Sequence, residues 1–159
     1  MTLQIREMRP DELNAVIDLH LEGLEQELSL LSLVFPGKTI DRGGREQLAK
    51  LLNQVLHVGE GRIFVAADEL DCFGYCLVTK KVYPVESPKL CGCVNGLYVR
   101  EKHRLQKIGT KLFETGIEWL KKETVTYVEL YHMMNDPRAT AFWRRMGFVP
   151  VQFNCAKKI

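Results

Sequence analysis

The sequence predicts an α/β fold of the layered α+β kind. Short runs rich in β-branched and aromatic residues alternate with longer runs of helical period. Three of the strand-like runs follow one another with no helix between them, which predicts an antiparallel meander. A chain of 159 residues fits one domain, taken here as residues 1–159. That length can bury a core without disulfide or metal staples.

Leu3 to Met8 is a short strand. Pro10 and Asp11 open a helix with favourable first-turn chemistry, and Leu13, Val16, Ile17, Leu21 and Leu24 recur at helical spacing along it. From Leu28 to Gly44 the apolar pattern is broken by Pro36, Gly37, Gly43 and Gly44, so a loop with short helical turns is expected. Arg45 to Leu56 is a second helix with Leu48, Leu51, Leu52 and Val55 as its stripe. The meander follows: Arg62–Ala67, then Cys72–Tyr83 after an Asp68–Asp71 turn, then Leu90–Val99 after the Pro84–Pro88 loop.

Gln106 to Lys122 has the clearest helical period, with Ile108, Leu112, Phe113, Ile117 and Leu120 on one face and lysines in the last turn, where they suit the helix dipole. Thr124–Tyr131 reads as a strand. Pro137–Met146 reads as a short helix ended by Gly147, and Phe148–Lys157 as a last strand. The expected order is β-α-α-β-β-β-α-β-α-β.

Composition excludes several classes of function. The chain has 22 basic and 20 acidic residues, a formal charge of +2, which is too near neutral for a nucleic-acid-coating protein or a polybasic membrane binder. No apolar run approaches the roughly 18 residues that a transmembrane helix needs. The N-terminus MTLQIREMRPDEL is polar and carries no secretory pattern. The five cysteines are odd in number, and Cys91-Gly92-Cys93 is not a zinc spacing. Reduced thiols in a cytoplasmic protein, with no metal, are the expectation.

The informative stretch is Val94–Leu112, VNGLYVREKHRLQKIGTKL. A strand ends at Val99, a basic loop follows from Arg100 to Lys107, and a long helix begins. The first N–H groups of that helix lack intrahelical acceptors and point out with the positive end of the dipole, an arrangement that binds anions. Gly109 lets a ligand approach the backbone, and Arg104 and Lys107 add positive charge. On these grounds an anion cradle and a basic loop in solvent stand about equal. A dinucleotide-binding G-x-G-x-x-G and a P-loop are both absent.

The run LYVREKHRLQKIGTKLF resembles the acetyl-CoA-binding motif of the GNAT superfamily, [Q/R]-x-x-G-x-[G/A]. Arg104 and Gly109 match, and Lys107 stands where the family has glycine. A register starting at Gln106 would put Lys111 at the small-residue position. The first register keeps the hydrophobic–Tyr–Val strand end in step. Downstream, the run from Asp136 to Phe148 resembles the family's N-x-x-A-x-x-[LF]-Y-x-[KR]-x-G-F. Ala139, Phe142, Arg145, Gly147 and Phe148 agree, while Asn135 sits one position early. The opening IREMRPDEL is also similar to the family's start. The resemblance spans nearly the whole chain, although Leu28 to Glu60 matches nothing specific.

The resemblance implies a mixed, mostly antiparallel central sheet, flanked by helices, whose strands splay between the one ending at Val99 and the one ending near Tyr131. It implies acetyl-CoA as co-substrate and a small-molecule or peptide amine as acceptor. The pantetheine arm would run beside Leu97, Tyr98 and Val99. The pyrophosphate would meet Leu105, Gln106, Lys107, Ile108, Gly109 and Thr110, with Arg104 beside them and Asn135 and Phe142 from the second motif.

Catalysis is harder to place. Trp143 occupies the position of the family's acid tyrosine, and an indole N–H is no practical proton donor. A CoA thiolate can leave unaided, with an ordinary thiol pKa of roughly 8 to 9. The strand before the cradle offers no carboxylate between Cys91 and Gly96, and Cys93 would serve as base only with a lowered pKa. Glu129, Tyr131 and His132 are the better candidates, against plain readings as surface charge, core aromatic and strand-end polar residue. Leu28–Phe35 reads either as an apolar acceptor wall or as ordinary helix packing. Two other functions stay open: a catalytically silent acyl-CoA-binding or sensing domain, and a structural domain that binds no CoA. A homodimer through the last strands is compatible with the sequence.

Overall fold

The computed structural model describes residues 2–31, 37–41, 43–83, 90–152 and 155. Five strands form one sheet in the order β1-β2-β3-β4-β5: β1 Gln4–Glu7, β2 Gly61–Ala67, β3 Cys72–Val82, β4 Leu90–Val99 and β5 Val128–Leu130. The first four pair antiparallel and β5 runs parallel to β4. The helices are α1 Leu13–Leu31, α2 Gly44–His57, α3 Ile108–Lys122 and α4 Pro137–Arg145. The fold is therefore the layered α/β kind that the sequence predicts, with the mixed, mostly antiparallel sheet flanked by helices that the resemblance implies.

The two faces of the sheet build separate halves of the core, because side chains alternate across each strand. One half packs Phe73, Cys76, Val78, Val94 and Val99 against Ile108, Leu112, Phe113 and Leu120 of α3 and Trp143 of α4. The other packs Ile63, Val65, Tyr75 and Leu77 against Val16, Ile17 and Leu19 of α1 and Leu52 of α2. Leu19 is wholly buried, although it falls outside the stripe read from the sequence. Gly116 lets α3 press onto β3, since a Cβ there would sit 2.9 Å from Cγ1 of Val78.

Four boundaries differ from the sequence reading, each for a local reason. Helix α1 continues to Leu31, so Leu28–Leu31 are helical; the segment is made of good helix formers, and its breakers come later. Helix α3 starts at Ile108, because Leu105 and Lys107 are left-handed, with φ of 64° and 60°. The strand after α3 shrinks to Val128–Leu130. Its expected first residues finish α3 instead: Thr124, at φ 62°, and Val125 donate their N–H groups back to Lys121 and Leu120. Residues 148–152 form no strand. The N–H groups of Gly147 and Phe148 are spent on the end of α4, and Pro150 has none to give a sheet. The remainder of that expected strand, apart from residue 155, lies outside the described residues, as do the Pro84–Pro88 loop and the Ser32–Phe35 part of the apolar run.

Candidate functional site

Two features of β4 make a cleft. Its pairing with β5 covers only Gly92, Cys93 and Val94, opposite Val128, Glu129 and Leu130. Beyond that point no described strand pairs with the β5-facing edge of Asn95–Val99. The pairing with β3 also slips there, since Leu77 faces Gly96 while Val78 faces Val94. Asn95 is thus the extra residue of a β-bulge, and bulges re-aim a strand. Strand β4 turns away from β5, and among the described residues no strand takes up the N–H and C=O groups on its β5-facing edge, where a ligand could pair.

Beyond Val99 the chain makes a 3-10 turn, Glu101–His103, and enters α3. The left-handed turns at Leu105 and Lys107 coil this backbone, and such coiling gathers successive N–H groups into an anion-binding concavity. The first-turn amides of α3 add to it. Gly109 is the small residue at the mouth. A Cβ there would find Phe142 and Val99 at ordinary contact, 3.7 to 3.9 Å, so nothing in the packing of the chain requires glycine. Its absent side chain leaves the backbone open to a ligand. Phe142 therefore lines the cradle from α4. The donor set and the open edge beside it fit a long ligand with an anionic end.

The charges of the basic loop have distinct partners. Arg100 is held by Glu22 of α1 at 2.9 Å and by Asp71 at 2.9 Å, and so ties the loop to the fold. Arg104 donates from Nε to the Val99 carbonyl at 2.7 Å and from Nη2 to Gln26 at 3.1 Å, with its guanidinium over the Tyr98 ring. Arg104 therefore braces the strand end as well as standing beside the cradle. Lys107 and Leu105 are exposed. The Asn135 amide donates to the Leu30 carbonyl of α1 at 3.1 Å.

The three candidate catalytic residues sit on or just after β5, each with its own surroundings. Glu129 is bound by Lys81 at 2.9 Å and by the Tyr83 hydroxyl at 2.8 Å. Burial pushes its carboxyl up, but these two hydrogen bonds outweigh burial and hold it below the usual range. Tyr131 is exposed and lines an open cleft of about 350 Å³ with Thr79, Lys81, Cys93 and Asn95. His132 is exposed, with Nδ1 3.0 Å from the Met133 carbonyl. Burial pushes the Cys93 thiol up to about 11, opposite to what a thiolate base needs. Trp143 is buried among Phe113, Phe142 and Phe148.

A titratable pair that sequence reasoning did not single out lies under β4. Nδ1 of His20 is 2.8 Å from the Tyr75 hydroxyl. The available signal was a histidine three residues past Ile17 on the apolar stripe of α1.

Residues 28–148 match the model of the acetyltransferase (GNAT) family. No curated protein matches significantly. A mutant of the BH1408 protein of Bacillus halodurans has a similar structure, with TM-score 0.80, 20% identity, and 98% of this chain and 99% of that chain covered. A predicted acetyltransferase of Clostridium acetobutylicum, with acetyl-CoA, gives TM-score 0.80 at 11% identity, covering 99% of this chain and 96% of that one. An aminoglycoside N-acetyltransferase in complex with CoA gives 0.73 at 11% identity, covering 99% and 95%. These similarities concern the fold. The family match covers most of the chain, and the chain belongs to the acetyltransferase (GNAT) family.

Proposed function

We propose that this chain is an N-acetyltransferase that moves an acetyl group from acetyl-CoA to an amine of a small molecule or peptide. The supporting observation is the juxtaposition of an open β4 edge, Asn95–Val99, with the coiled backbone before α3. The pantetheine arm lies along Leu97, Tyr98 and Val99. The pyrophosphate meets the amides of Leu105 to Thr110, with Lys107 beside them and Phe142 behind Gly109. Backbone donors on β4 stabilise the oxyanion that forms as the amine attacks. The five free cysteines fit a reducing, cytoplasmic setting. A homodimer, through the segment after α4, belongs to the same reading.

Gly109→Trp tests it by calorimetry with acetyl-CoA. The variant should keep the fold, because a Cβ at Gly109 meets Phe142 and Val99 only at ordinary contact, and should lose binding. Unchanged affinity would sink the cradle. A second reading, a catalytically silent acyl-CoA-binding domain, draws support from the burial of Trp143 and from the engagement of Glu129 by Lys81 and Tyr83. Thiol release with a panel of primary amines separates the two readings once binding is established.

A further inference from the structure

Tyr75 lies in β3 opposite Tyr98 of β4, on the sheet face covered by α1. Its side chain runs under the bulge. A Cβ on Gly96 would sit 2.4 Å from the Tyr75 hydroxyl and 3.0 Å from Cε2, so only glycine lets the phenol occupy this place. Gly96 is the residue after the Asn95 bulge and two past Val94, the last residue paired with β5. The hydroxyl therefore sits against the backbone where β4 parts from β5 and the cleft opens. On its other side stands Nδ1 of His20, 2.8 Å away.

Tyr75 is only 3% exposed, while His20 is half-buried. Burial raises the phenol and lowers the imidazole, so both are neutral at neutral pH. The relay proposed below uses the tautomer in which the phenol donates to Nδ1 and the ring proton sits on Nε2. Among the described residues, the titratable groups around the pair are Glu27 from α1, Cys76 from β3 and Tyr98 from β4. Arg45 from α2 is held by Asp18.

We infer that Tyr75 and His20 form the proton relay of acetyl transfer, carrying a proton from the acceptor amine at the β4 bulge to the α1 side of the sheet. The inference rests on the acetyltransferase reading above. In the relay the acceptor ammonium gives a proton to the Tyr75 oxygen as the Tyr75 proton passes to Nδ1 of His20. The neutral amine forms the C–N bond to the thioester carbonyl, whose π pair moves to oxygen. Collapse breaks the C–S bond, and the sulfur leaves as thiolate. The amide nitrogen sheds its second proton to solvent. The proton held by His20 returns through Tyr75 to the thiolate, so the pair ends in its starting state. Tyr75 touches the reacting groups in this scheme; His20 acts through it and is a positioning and proton-storing residue.

The test uses the full chain with acetyl-CoA and three acceptors: an alkyl monoamine, a diamine and a short peptide with a free N-terminus. Tyr75→Phe and His20→Gln should bind CoA within about twofold of wild type, read by the Gly109 amide resonance. Each should lose roughly 10²-fold or more in kcat. Both should also lose the acidic limb of the kcat/KM profile, and the double variant should be no slower than either single one, since members of one relay act as a unit. His20→Gln replaces a half-buried group and guards against Tyr75→Phe failing to fold. Wild-type rates with an unchanged profile in either folded variant would overturn the relay, as would losses that simply multiply in the double variant. A wild-type chain that binds CoA but transfers nothing overturns the relay and leaves the silent reading. A Gly109 resonance that ignores CoA overturns the acetyltransferase reading itself.

Discussion

Lys107 shows how one residue can depart from a motif and still adopt its geometry. The family places glycine there, and the structure holds Lys107 at φ 60°, ψ 13°, the left-handed region glycine enters without steric cost. A side chain in that region costs roughly 1–2 kcal/mol, partly offset because lysine restricts the unfolded chain more than glycine does. Lys107→Gly should therefore stabilise the protein by about 1 kcal/mol. In a chain of this size that is a rise of roughly 2–4 °C in Tm, read by calorimetry. A fall in Tm would mean that the lysine side chain earns its place through contacts. Glu12 offers a second residue-scale test. It takes two hydrogen bonds from Arg6, at 2.6 and 2.8 Å, and that partnership chiefly lowers its carboxyl below the ordinary 4.5. A lowered folded pKa contributes stability above the ordinary value, and that stability is lost as pH falls through the folded value. Glu12→Gln should cost about 2 kcal/mol at neutral pH and much less in acid, so its denaturation midpoint should converge with wild type as pH drops. A constant gap across pH would remove the ion pair from the explanation.

At the scale of elements, the helices and the meander were legible because their signals are local. The stripe of Ile108, Leu112, Phe113 and Leu120 is buried on one face of α3 as its spacing implies. The strand ends were less legible, because they depend on where N–H groups are spent. Thr124 and Val125 carry β propensity, yet they close α3; a C-terminal cap won over propensity. The motif before α3 was legible, whereas the left-handed turn at Leu105 was not, since leucine gives no signal of positive φ. The His20–Tyr75 contact spans 55 residues of sequence, beyond the reach of any period or spacing. Close element packing yields its own prediction. Gly116 sets the distance between α3 and β3, with Val78 and Cys76 beneath it at 2.9 and 3.5 Å from a built Cβ. Gly116→Leu should destabilise by about 1–3 kcal/mol through overpacking, despite the better helix propensity of leucine. Unaltered stability in urea would show that α3 can lift from the sheet without loss.

For the whole molecule, the sheet joins two half-cores that touch different parts of the cleft. The α3–α4 half supplies Gly109 and Phe142, the α1–α2 half supplies the face under β4, and β4 itself is shared between them. A ligand along Asn95–Val99 would fill the edge that β5 leaves and would bear on both halves at once. Acetyl-CoA at one hundred times its Kd should therefore stabilise the whole fold by about 2.7 kcal/mol, a rise of roughly 5–10 °C in Tm. The same ligand should slow hydrogen exchange at the β5-facing amides of Asn95–Val99 as well as in the first turn of α3, because both sets would gain partners. Inorganic pyrophosphate alone should protect only the α3 turn. If acetyl-CoA protected that turn and left Asn95–Val99 unchanged, the anion cradle would stand, and the open β4 edge would not be the seat of the pantetheine arm.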